Sequence, residues 1–120
     1  MKSYKDLDIY NLSFEYAVEV HTMTLKLPKY ELYEAGSQLR RSSKSIVNNI
    51  IEGYGRRKYK ADFIKFLIYA QASLLESTSQ LEMIKKIHNT EGIENIIENY
   101  KKLGAKIFSF INYVDNNWKT

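Results

Sequence analysis

Apolar residues recur every three or four positions along four long stretches of the chain, the period of an amphipathic helix. In the first, from about Asp8 to Lys26, Tyr10, Phe14, Ala17, His21 and Leu25 mark the expected core face. Pro28 closes it, because proline cannot continue a helix and disfavours helical geometry at Leu27. The second, from about Glu31 to Gly53, places Leu32, Ala35, Leu39, Ser43, Ile46 and Ile50 in register, with Gly53 and Gly55 where a left-handed cap is wanted. The third, from Ala61 to His88, carries Phe63, Leu67, Ala70, Leu74, Leu81, Ile84 and Ile87 on one face. Its first half adds a second stripe of Ile64, Ile68, Ala72 and Leu75. That excess packs either under a neighbouring helix of the same chain or against another subunit. The fourth, from about Gly92 to Asn117, aligns Ile93, Ile96, Ile97, Tyr100, Leu103, Ile107, Phe110, Ile111 and Val114 behind a turn at Asn89, Thr90 and Gly92.

No alternating run bounded by turn dipeptides signals a strand. The pattern predicts an all-α fold, an antiparallel up-down-up-down four-helix bundle. It forms one domain over 1–120, with helices at about 8–26, 31–53, 61–88 and 92–117. Absence of cysteine excludes a disulfide scaffold and any thiolate metal site and fits a reducing compartment. The N-terminal lysines are followed by no apolar run, and no stretch reaches the length of a membrane span, so a cytoplasmic protein is expected.

The net charge of +4 is unevenly distributed. Between positions 40 and 65, eight cations (Arg40, Arg41, Lys44, Arg56, Arg57, Lys58, Lys60 and Lys65) face only Glu52 and Asp62, a local net of +6. The rest of the chain nets −2. A basic middle on a slightly acidic chain points to a polyanion-facing surface, against the plainer reading of a solvated helix face. Tyr54 and Tyr59 stand among these cations, and rings between cations suit looped or single-stranded RNA.

Signals for catalysis are thin. His21 and His88 lie on different segments and in no metal-ligand spacing; His21 shares the apolar register and reads as a half-buried packing residue. Glu52 and Glu76 could meet across two helices, but a lone carboxylate pair does not make a metal site. No phosphate loop, nucleophile elbow or Glu-x-x-His pair is present. No enzyme activity, metal or cofactor is expected. The second segment is more informative: Gln38, Arg41, Ser45, Asn49 and Glu52 fall within about 80° of one another at 100° per residue. This polar string suits a hydrogen-bonded network between helices or between subunits.

The runs from Leu27 to Tyr33, from Ser37 to Ile46 and from Asn49 to Arg56 resemble a bacterial family: the four-helix-bundle proteins encoded by intervening sequences in large-subunit ribosomal RNA genes. Asp62-Phe63, Phe66-Leu67, Ser73-Leu74 and Gln80-Leu81 continue the likeness, as does Leu7 to Tyr10. The resemblance implies an antiparallel bundle that assembles into homopentamers with a central channel. It also implies kinship with the accessory protein of diversity-generating retroelements, a basic pentamer that binds nucleic acid and a reverse transcriptase. It supports the polar string and the basic positions Arg40, Arg56 and Arg57, and it supplies no catalytic residue. Ser42, Ser43, Val47, Ile51, Tyr59 and Thr78 depart from the family's pattern. Tyr59 stands where a Ser or Thr cap is usual.

The expected function is that of a non-catalytic, basic homo-oligomer, a pentamer by resemblance, binding RNA or another polyanion with little sequence specificity. The alternative is an interaction module that docks an acidic partner protein such as a polymerase.

Overall fold

The computed structural model describes residues 2–119. It contains a short 3-10 turn, Tyr4–Asp6, and helices α1 (Asp8–Thr24), α2 (Lys29–Leu32), α3 (Ala35–Gly55), α4 (Lys60–His88) and α5 (Ile93–Asn117). There is no strand among the described residues. The four long helices pack in a square, with α1 and α4 each packed against α3 and α5, in a rod of 48 × 21 × 20 Å. Neighbours run antiparallel: Ser42 meets Ser77 and Ser45 meets Ser73 across α3 and α4, while Tyr16 meets Tyr100 across α1 and α5.

Each end is closed by local chemistry. Ser3 and Asp6 form a capping box, and backbone N–H groups of Lys2 and Ser3 hold the Asp6 carboxyl below the ordinary carboxylate range. Asn89 takes the left-handed conformation (φ 44°) that ends α4, and Gly92 (φ 84°) opens α5. These are the two residue types that tolerate positive φ best. Tyr59 precedes α4 with no side-chain cap bond.

The expected second helix is broken near its start. α2 ends at Leu32, and α3 begins only at Ala35, after Glu34 adopts φ −111°, ψ −95°. The Arg40 guanidinium stabilises this break: it donates 2.8 Å bonds to the Leu32 carbonyl and to Thr24 Oγ1 of α1. The Leu32 carbonyl is the one that a continuous helix would have paired with the N–H of Gly36. Glu31 is tied to the far end of α4, its Oε2 2.7 Å from His88 Nε2.

Gly53 and Gly55 are not caps. Both belong to α3, whose last residue is Gly55 and whose capping residue, Arg56, is not left-handed. Gly53 instead allows close approach: a Cβ there would stand 3.2 Å from Phe66 Cβ and 3.3 Å from the Phe63 carbonyl.

The core face of α1 is not the expected one. Ile9, Ser13, Val20, Met23 and Thr24 are buried, whereas Phe14, His21 and Leu25 are exposed and Tyr10 and Ala17 half-buried. The two stripes are adjacent, their centres about 110° apart around the helix at about 100° per residue. The true core stripe is disguised by Ser13 and Thr24, whose hydroxyls donate to the Tyr10 and His21 carbonyls and so fit an apolar interior. His21 is thus a surface residue and not a half-buried one. Ile87 is likewise exposed, because the core register of α4 steps from Ile84 to His88. The second stripe on α4 finds no cover in its own chain: Ile64 is half-buried, but Ile68, Ala72 and Leu75 face outward.

Candidate nucleic-acid interface

The eight cations of the basic window separate into distinct roles. Arg40 is engaged by the fold, its guanidinium donating to Thr24 and to the Leu32 carbonyl as described above. Arg41 and Lys44 are exposed on different sides of α3, Arg41 beside α4 and Lys44 beside α1. The remaining five gather at one end of the rod, around the turn between α3 and α4.

There, cations and rings alternate. Arg56 donates through Nε and Nη2 to Glu52 Oε1 at 3.1 and 3.0 Å, and its guanidinium lies 4.8 Å from the Phe66 ring centre. Phe66 meets Tyr69 edge-on at 5.3 Å, and Lys65 Nζ stands 5.9 Å from the Tyr69 ring. On the other flank, Lys58 Nζ is 5.7 Å from Tyr59. Tyr59 and Tyr69 are both about half exposed. Arg57 is more constrained: its guanidinium stacks 3.9 Å over Tyr54 and donates to the Tyr54 carbonyl. Its own carbonyl accepts the indole N–H of Trp118 at 2.8 Å, which docks the end of α5 onto the turn. Lys60 is ion-paired to Asp115 of α5 at 3.6 Å. Lys58 and Lys65 form no ion pair within the described residues, and Arg56 is half exposed beside its carboxylate partner.

The polar string of α3 is split. Ser45 hydrogen-bonds Ser73 of α4 at 2.8 Å, and Asn49 Nδ2 donates to both the carbonyl and the hydroxyl of Ser45. Glu52 turns instead to Arg56 on the surface. Gln38 and Arg41 are exposed and line an open polar groove of about 460 Å³ with Glu76 and Gln80. The buried centre of the seam is made by residues outside the string. Ser42 Oγ lies 2.7 Å from Ser77 Oγ and 2.9 Å from Gln80 Oε1, and Ser77 donates to the Ser73 carbonyl. Serines at i, i+3 on one segment and i, i+4 on the next (Ser42/Ser45 and Ser73/Ser77) were the available signal. Small hydroxyl residues so spaced let two helices approach closely while every hydroxyl finds a partner.

Glu52 and Glu76 do not share a site, and no group of three or more His, Asp or Glu side chains among the described residues could hold a metal. Tyr100 lies in the core, where burial raises its phenol well above the ordinary tyrosine range and keeps it neutral.

An all-helical square bundle with a cationic, ring-lined end belongs to the class of small antiparallel four-helix-bundle proteins. The chain matches the 23S rRNA-intervening sequence protein family over residues 5–109 and belongs to it. A crystal structure from Bacteroides thetaiotaomicron, of a protein of unknown function in the S23 ribosomal protein family, superposes with a TM-score of 0.74. It is 25% identical in sequence, and the match covers 87% of this chain and 95% of that one. No curated protein matches the chain significantly. No described helix is long and apolar enough to cross a membrane.

Proposed function

We propose that the protein is a non-catalytic, cytoplasmic homo-oligomer, a pentamer as the family resemblance implies, that binds RNA with little sequence specificity through the α3–α4 end. The observation that carries this reading is the alternation of Arg56, Phe66, Tyr69 and Lys65, flanked by Lys58 and Tyr59. Cations interleaved with partly exposed rings are what single-stranded or looped RNA requires, since its unstacked bases lie on aromatic faces while its backbone pairs with Lys and Arg. Nothing at this end offers a rigid donor–acceptor pattern for base edges, which is why specificity is low. Each chain carries +4, so a pentamer would carry +20 and attract polyanions over long range.

The test uses Lys58→Glu together with Lys65→Glu, two positions without ion-pair partners among the described residues. Affinity for a single-stranded RNA is expected to fall at least tenfold at low salt. The slope of log affinity against log salt should flatten by about 1.4 for the two lost phosphate contacts. Unchanged affinity and slope would place the RNA elsewhere, or would turn the basic end toward an acidic protein.

A further inference from the structure

The α3/α4 seam runs on from the row of rings and cations toward the middle of the rod. On α4, Phe66, Ser73 and Gln80 recur every seven residues, as do Gln38, Ser45 and Glu52 on α3. Each set therefore lies nearly along one line of its helix. Ser73 stands seven residues beyond Phe66, about 10 Å at about 1.5 Å per residue. There the seam opens into the polar groove of about 460 Å³. That volume falls within the usual range of ligand sites, about 300–1,000 Å³.

The floor of this groove is internally satisfied and its rim is not. Ser45 and Ser73 pair at 2.8 Å, and the buried Ser42 donates to Gln80 Oε1 at 2.9 Å. These small hydroxyl side chains occupy one another and leave space above them. Arg41 and Glu76 line the same groove and are both exposed. They form no ion pair with each other or with any other side chain among the described residues. A guanidinium and a carboxylate thus stand apart across a groove of amides and hydroxyls.

Charge decides what such a groove takes. A phosphate would meet Glu76, and a simple cation would meet Arg41. A neutral, flat group with adjacent donors on one edge and adjacent acceptors on the next satisfies both. Among the RNA bases guanine alone has this pattern. Its N1–H and N2–H groups suit the two oxygens of a carboxylate, and its O6 and N7 suit the fork of a guanidinium. Adenine, cytosine and uracil each offer a carboxylate only one donor group.

We infer that the α3/α4 groove is a guanine-selective subsite for single-stranded RNA, with Glu76 accepting from the Watson–Crick edge and Arg41 donating to O6 and N7. The inference rests on the RNA reading above. It adds one selective position to a surface that otherwise holds phosphates and stacks bases.

The test is fluorescence anisotropy with two labelled oligouridines, one carrying a single central guanosine and the other a single central adenosine. The guanosine RNA is expected to bind about tenfold more tightly, within the discrimination that one bidentate base contact supplies. Glu76→Ala is expected to erase that ratio. The lost negative charge acts on both RNAs alike, so the ratio isolates the base contact. Glu76 is exposed, and far-UV circular dichroism should show wild-type helicity in the variant. Equal binding of the two RNAs by the wild-type protein, or a guanosine preference that survives Glu76→Ala, overturns the subsite and leaves the RNA reading in place. Failure of both RNAs to bind at low salt overturns the RNA reading itself, and the subsite with it.

Discussion

Phe63→Ala is expected to lower the free energy of unfolding by about 3–5 kcal/mol, the usual cost of deleting a buried phenyl ring. Phe63 has no solvent exposure and sits where three elements converge. Its ring meets Phe110 of α5 edge-on at 5.8 Å and Trp118 at 5.3 Å, and its side chain and carbonyl form the floor beneath Gly53 of α3. Edge-on ring pairs add about 0.5–1.5 kcal/mol each beyond the area they bury, which favours the upper part of that range. The loss also reaches the proposed interface. Trp118 leans on Phe63 and donates to the Arg57 carbonyl, so the cavity loosens the turn that presents Lys58 and Tyr59. Urea denaturation checks the prediction through a lowered midpoint at unchanged slope. A loss below about 1 kcal/mol would mean that this end of the bundle repacks around the cavity.

Arg40→Met is expected to cost about 2–4 kcal/mol while leaving RNA affinity unchanged. Methionine keeps most of the side chain's apolar stem but removes both hydrogen bonds from a charged donor, each worth about 1.5–3 kcal/mol. The Leu32 carbonyl at the α2–α3 break then loses its partner, and α1 loses its polar tie to α3 through Thr24. Paired measurements separate the two roles: chemical denaturation for stability, and RNA titration at a temperature where the variant is fully folded. If affinity fell and stability held, Arg40 would belong to the binding surface after all.

Arg40 shows where one-dimensional reading stops. In the sequence it is one of eight cations in a basic window; only the fold reveals that the chain breaks at Glu34 and that a guanidinium must fill the gap. The four long helices were legible because each carries apolar residues at three-four spacing, and because Pro28 and the Asn89-to-Gly92 turn punctuate them. α1 was misread in its facing, not in its existence. It has two apolar stripes, and the one with Phe14 and Leu25 looks greasier than the true core stripe, which contains Ser13 and Thr24. Periodicity sees both stripes and cannot tell which has a neighbour. The same blindness left the Ile68/Leu75 stripe ambiguous until its exposure was seen. At the polar seam, Ser45 and Asn49 were placed together by helix geometry alone, while Ser77 and Gln80 were missed because their partner Ser42 lies 35 and 38 residues away. The row of Arg56, Phe66, Tyr69 and Lys65 was equally hidden. Two of its members fall within the charge window as cations, but the rings join them only once α4 is wound.

A basic oligomer of this chain that engages RNA has a mass that RNA changes. Light scattering measures that mass in solution, with and without a short structured RNA, at low and near-physiological salt. The expected mass is about 70 kDa, five chains of 14.1 kDa, rising when RNA is added at low salt and rising less as salt increases. A single-chain mass that RNA leaves unchanged at both salt concentrations would contradict it.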